Sequence, residues 1–166
     1  MEVCMKESME TCTQKVVISN LMQPQNSNTY GNIHGGEIMK MMDNAAGIVA
    51  RRHARTNIAT ARVDEMEFYL PIHIGDLVIC EGKLTFVGKH SMEIQVTVYV
   101  DDLVKDSPVK VALTSYFTLV AIDKDGRPTP VPPLEVVTEE DKRLYEEGKA
   151  RYLAYKAKRK KKQQDE

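Results

Sequence analysis

NTYGNIHGGEIMKMMDNAAGIVARRH, residues 28–53, decides how the chain is read. It opens with turn-forming residues, passes a Gly-Gly pair and continues as a helical pattern with a carboxylate, Asp43, set in its apolar run. From Gly36 to His53 the apolar residues Ile38, Met39, Met41, Met42, Ala45, Ala46, Ile48, Val49 and Ala50 cover most of a helical circumference. A helix apolar on nearly every side belongs in the interior. Asp43 lies in line with Met39, Ala46 and Ala50 on that helix. Two readings of it stay open. It is either a buried carboxylate, costly unless partnered and so a candidate functional group, or a partly exposed one paired with Lys40.

The surrounding pattern is mostly strand. QKVVISNLM (14–22) is rich in β-branched residues, and PQNSNTYGN after it carries loop chemistry. NIATARVDEMEFY (57–69) reads as a second strand whose alternation slips near Asp64-Glu65. Val78, Cys80, Gly82, Leu84 and Phe86 share one strand face. Met92, Ile94, Val96, Val98 and Val100 share another, opposite Glu93, Gln95, Thr97 and Tyr99, with VGKHS as the hairpin between. Residues 110–123 are apolar on both faces, as in the middle of a sheet. The simplest packing wraps an antiparallel sheet around one long buried helix, an α+β arrangement.

Prolines 128, 130, 132 and 133 end the sheet. Thr138 then caps a C-terminal helix that begins with Glu139, Glu140 and Asp141 and ends in KAKRKKK, charges that suit the helix dipole. That helix is expected to be self-contained, its basic run a solvated end or else an accessory contact to anionic phosphates. The expected division is an N-terminal segment 1–13, a sheet-and-helix domain 14–134 and a charged helix and tail 135–166.

At 166 residues a single core is expected. Lys plus Arg is 23 against 24 for Asp plus Glu, which gives no bulk attraction to nucleic acid or to anionic membranes. Cys4, Cys12 and Cys80 are odd in number and lack metal-ligand spacing, so neither a disulfide framework nor a metal site is expected. No secretory h-region and no run of about 18 apolar residues is present, so the expected setting is cytoplasmic, without membrane insertion.

The loop offers specific groups. His34 has no second histidine at helical spacing, which favours a packing or hydrogen-bonding role over a metal site. Gly35 and Gly36 stand where loop becomes helix, so unpaired backbone N–H groups can approach a polarised oxygen unobstructed. Neither a G-x-S-x-G nucleophile elbow nor a P-loop is present, and no G-x-G-x-x-G follows a strand.

N-x-x-GNIHGGEIMKMMD, followed by AAGIVARRHARTNIATARVDEMEF and later VGKHSMEIQVTVYV, resembles the hotdog-fold acyl-CoA thioesterases. The group in question contains the cytosolic, brain-type acyl-CoA hydrolases and their single-domain bacterial relatives. The resemblance covers residues 14–134 and extends into EEGKARYLAYKAKR. It implies hydrolysis of a fatty acyl-CoA to the free acid and CoA, with no cofactor, CoA being part of substrate and product. It also implies a homodimer, built further into a hexamer as a trimer of dimers, with CoA bound between subunits. In that arrangement Asp43 acts as general base or nucleophile, Asn28 of the partner positions water or substrate, and the Gly36 N–H polarises the thioester carbonyl. His34, Gly35, Arg62, Lys89, His90 and Ser91 would border the substrate. Two other classes stay open. An acyl-CoA-sensing regulator would need a DNA-binding element, for which the residues before 14 are too few. A hydratase or dehydratase would need a catalytic histidine placed with an aspartate.

Overall fold

A computed structural model describes residues 15–164, with side chains to residue 161. The strands are β1 (Lys15–Leu21), β2 (Asn57–Val63), β3 (Leu77–Val87), β4 (Ser91–Asp101) and β5 (Lys110–Ile122); the helices are α1 (Gly35–Ala54) and α2 (Glu139–Gln164). The expected segment 1–13, with Cys4 and Cys12, and the first residue of the expected first strand lie outside the described residues.

The strands form one antiparallel sheet in the order β1-β3-β4-β5-β2, and α1 packs against all five. Alternation explains the packing. Val78, Cys80 and Leu84 of β3, Ile94, Val96 and Val98 of β4, and Leu113, Phe117 and Leu119 of β5 are buried together with Ile38, Met42, Ala45 and Val49 of α1. Gly82 lets the helix close on β3: a Cβ there would stand 3.3 Å from Val49 and 3.4 Å from the Ala45 backbone. Glu37 in the first turn of α1 and Arg51, Arg52 and His53 in the last complement its dipole.

The structure corrects four expectations. The second strand ends at Val63, and its slip falls at Ala61, where a bulge separates Thr60 from Arg62 in the pairing with β5. Beyond it the chain drifts from the ladder, keeping bonds from Asp64 N to Tyr116 O and from Tyr69 N to Ala112 O. Phe86 does not share the face of Leu84. A bulge at Thr85 pairs Phe86 with Glu93 and turns it to the outer side of the sheet, against the rings of Tyr145 and Tyr152.

Third, α1 is not covered all round in the single chain. Ile38, Met42, Ala45, Ala46, Val49 and Ala50 are buried, whereas Met39 is 46% and Ile48 40% exposed. Fourth, α2 is not self-contained. It lies back on the outer face of the sheet, where Leu144 is buried and Arg151 makes two hydrogen bonds to Glu93, at 2.8 and 3.0 Å. Glu93 is only 4% exposed and also accepts a bond from Thr85 Oγ1 at 2.8 Å. The basic run beyond Tyr155 is exposed as far as side chains are described.

Candidate active site

Three features of one chain carry polar groups toward possible substrate. The first is the loop before α1. Asn28 Oδ1 accepts the backbone N–H groups of Tyr30 (2.9 Å) and Asn32 (3.3 Å), an Asx turn that fixes the amide. With its oxygen so engaged, the remaining polar group is Nδ2, which can only donate. Asn28 and Gly35 border the same cleft, of about 380 Å³, with Phe68, Tyr69 and Leu70. His34 is the N-cap of α1 by position, but its imidazole makes no capping bond and is exposed; its backbone N–H donates to Asn26 O. Its carbonyl accepts from Glu37 and Ile38, so the N–H groups of Gly35 and Gly36 are first-turn donors without an intrahelical partner. A Cβ at Gly36 would meet nothing within 4 Å, so that N–H opens on free space.

The second feature is Asp43. Its carboxylate stands on the open face of α1, and its partner is not Lys40 but Thr60, whose hydroxyl donates to Oδ1 at 2.7 Å. The burial foreseen from the stripe holds for Ala46 and Ala50 and fails for Met39 and Asp43. The reason is geometric: the sheet of one chain reaches around only part of the helix. Asp43, Thr60, Gly47, Ile48 and Ile58 border a shallow depression of about 230 Å³, separate from the Asn28 cleft. Gly36 and Asp43 are seven residues apart on α1, about 10 Å of helix rise.

The third is a cleft of about 520 Å³ between the outer sheet face and α2. Arg62, His90 and Ser91 meet there, joined by residues of α2. Arg62 Nη2 donates to Asp64 Oδ2 at 3.4 Å, its Nε makes a 2.8 Å charge contact to Oδ1, and its guanidinium sits 4.2 Å over the ring of Tyr155. Lys89 is exposed at the hairpin and does not line this cleft; its carbonyl accepts from Val131 N.

Other groups fall away. Among the described residues no three His, Cys, Asp or Glu side chains stand together for a metal ion. His73 and Asp76 are 3.7 Å apart, but the same Asp76 oxygen accepts the His73 backbone N–H at 2.8 Å, so the carboxylate serves the turn. Cys80 is buried, and burial pushes its thiol up to about 12, which leaves it protonated and inert. No described helix is long and apolar enough to cross a membrane.

Residues 30–106 match the family described as the thioesterase superfamily. The chain is 37% identical over 131 residues to a Bacillus subtilis protein named as an uncharacterised acyl-CoA thioester hydrolase, covering 79% of this chain and 76% of that one. The chain belongs to the thioesterase superfamily. It is also 45% identical over 141 residues to the cytosolic acyl coenzyme A thioester hydrolase of Rattus norvegicus, covering 84% of this chain; it spans 37% of that relative's length. Among solved structures it is similar to an apo-hexameric acyl-CoA thioesterase, with a TM-score of 0.81 and 35% identity, covering 87% of this chain and 92% of that one. The acyl-CoA hydrolase of Staphylococcus aureus, solved with butyryl coenzyme A, coenzyme A and its disulfide, superposes with a TM-score of 0.80 at 31% identity, covering 90% and 91%. That enzyme has also been solved as alanine variants of an asparagine, an aspartate and a threonine. The curled sheet about α1 in this thioesterase-superfamily chain is therefore the hotdog fold.

Proposed function

We propose that the protein hydrolyses acyl-CoA thioesters, with fatty acyl-CoA as the substrate class, releasing the free acid and CoA. The observation that carries this reading is the Thr60–Asp43 hydrogen bond on the open face of α1. It engages Oδ1 of an exposed carboxylate, which leaves Oδ2 to take a proton from water. The same oxygen is also placed for direct attack on the thioester carbon, through an anhydride that water then opens.

The remaining groups supply what the base lacks. A thioester carbonyl that gains negative charge needs donors aimed at its oxygen, and the Gly36 N–H at the start of α1 and the Nδ2 of Asn28 are such donors. Gly36 is not within reach of Asp43 in the same chain, and Asn28 borders a different cleft from Asp43. About 10 Å of helix rise separates Gly36 from Asp43, whereas one reacting carbon must lie within about 3 Å of both base and donors. A second copy resolves this. With the open faces of two α1 helices against one another, Asn28 and Gly36 of one subunit meet Asp43 and Thr60 of the other. The exposed Met39 and Ile48 are the apolar contacts such a face requires. Hexamers, as in the similar thioesterase, would be built from these dimers. Arg62, Lys89, His90 and Ser91 are assigned to CoA, with Gly35 and His34 beside the thioester, and the setting to the cytosol, as in the relatives named cytosolic.

The test is a turnover panel of acyl-CoAs of increasing chain length, followed by thiol release. Thiol appearing with each turnover supports the hydrolase. Binding without release points to a sensor, and a change in enoyl absorbance without thiol to a hydratase.

A further inference from the structure

The cleft against α2 is more than a gap between elements. Its helical wall is formed by Tyr152, Tyr155, Lys156 and Arg159, which are spaced i, i+3, i+4 and i+7 and so lie on one face. Of the basic residues from 156 to 161, the cleft takes only Lys156 and Arg159; Lys158, Lys160 and Lys161 do not line it.

Charge pairing separates these two from Arg62 and Glu93, the other charged side chains that line the cleft. Arg62 is met by Asp64 at 2.8 Å, and the buried Glu93 by Arg151 at 2.8 Å. Among the described residues neither Lys156 nor Arg159 has a carboxylate within ion-pair distance. Lys156 Nζ is instead 4.8 Å over the Tyr152 ring. Two uncompensated cations, aromatic walls, the Ser91 hydroxyl and the His90 imidazole together fit a ligand that is planar and phosphorylated.

The position fits the substrate. Thr60, which holds Asp43, and Arg62, which lines this cleft, are two residues apart on β2, about 7 Å along the strand. β2 is an edge strand. The bulge at Ala61 turns its successive side chains to different surroundings. A flexible pantetheine arm passing over that edge would join a thioester on one side to a nucleotide on the other.

We propose that α2 is a specificity element: Tyr155, Lys156 and Arg159 receive the phosphorylated nucleotide end of the acyl-CoA. This rests on the hydrolase reading. It gives the basic end of the chain a defined partner in place of bulk water.

The test compares the parent with a Lys156→Ala/Arg159→Ala double variant, both residues being exposed so that folding is preserved; equal urea midpoints verify that. With acyl-CoA the variant's KM should rise about tenfold while kcat holds within about twofold, the loss of one charge-assisted phosphate contact. With the matching acyl-pantetheine, which lacks the nucleotide, the two proteins should have the same KM. Adenosine 3′,5′-bisphosphate should compete with acyl-CoA on the parent and bind the variant about tenfold more weakly by calorimetry. An unchanged KM for acyl-CoA, an equal rise for both substrates, or nucleotide binding without competition overturns the proposal. A parent that hydrolyses no acyl-CoA overturns the hydrolase reading instead. The calorimetric titration then decides the cleft by itself, equal affinities counting against it and a tenfold difference for it.

Discussion

Asp43 illustrates how little a side chain's position on a helical wheel says about its chemistry until its neighbours are known. The carboxylate is on the open face of α1, and the hydroxyl of Thr60 donates to it. Asn28 is held in the opposite sense, its oxygen bound by its own loop and its N–H groups free to donate. Replacing Asp43 or Asn28 by Ala is predicted to lower kcat about 100-fold while CoA still binds, because the proposed mechanism has both act mainly in the transition state. Thr60→Ala should fall between these and the parent, and Thr60→Ser should recover most of the rate because the hydroxyl is the working part. Steady-state kinetics with one acyl-CoA decide it, and an Asp43→Ala protein of parental kcat would remove Asp43 from the chemistry. Asn28 and Asp43 enter as candidates through the resemblance that the whole pattern around them carries. Thr60 was missed, although a signal existed: Ile58 packs against the core, so Thr60, two residues on, is a polar group on the helix-facing side of β2.

At the scale of elements, the periodicities that foretold one helix within an antiparallel sheet are those of α1, β3, β4 and β5. What they could not foretell begins at Thr85. One extra residue reverses the facing of Phe86, and the outer surface of the sheet thereby gains an aromatic ring and a buried carboxylate that α2 covers. The sequence of α2 hides this because its contacts are few and mostly polar, Leu144, Arg151 and the tyrosines among many charges. Gly148 marks the closest approach: a Cβ there would stand 2.7 Å from both Glu93 Oε1 and Phe86 Cβ. Gly148→Ala should therefore destabilise the fold by roughly 1–3 kcal/mol of overpacking, read as a lower urea midpoint, even though Ala is the better helix former. A midpoint at or above the parent's would mean that α2 is not held as described.

The start of α2 supplies a pH test. The Thr138 hydroxyl and backbone N–H donate to Asp141 Oδ2 at 2.7 and 3.2 Å, and the Asp141 N–H donates back to Thr138 Oγ1 at 3.0 Å, a reciprocal cap. The Thr138 side-chain bond, with Lys83 at 2.9 Å as a further contributor, holds the Asp141 carboxyl below its ordinary range. A lowered folded-state value stabilises the fold above the unfolded pKa of about 4, and that contribution is lost as pH falls through the folded value. Asp141→Asn is thus predicted to cost about 1 kcal/mol at pH 7 and progressively less below about pH 4, read from urea midpoints at both pH values. A cost that grows on acidification would contradict the assignment.

At the scale of the whole molecule, the proposed working unit is larger than one chain. The near-complete apolar circumference of α1 predicted burial on all sides, and the single chain covers only the half that faces its own sheet. Met39 and Ile48 signal the rest, since exposed apolar residues beside the Asp43 carboxylate fit a face that a second copy closes. The central claim is that each site takes Asn28 from one subunit and Asp43 from the other. Mixing Asn28→Ala with Asp43→Ala tests it most directly, because a mixed dimer holds one site lacking both residues and one lacking neither. Co-refolding the two inactive proteins in equal amounts should restore about a quarter of the parental rate, half the dimers being mixed and each having one of its two sites intact. Demonstrably mixed dimers that stay inactive would contradict the shared site.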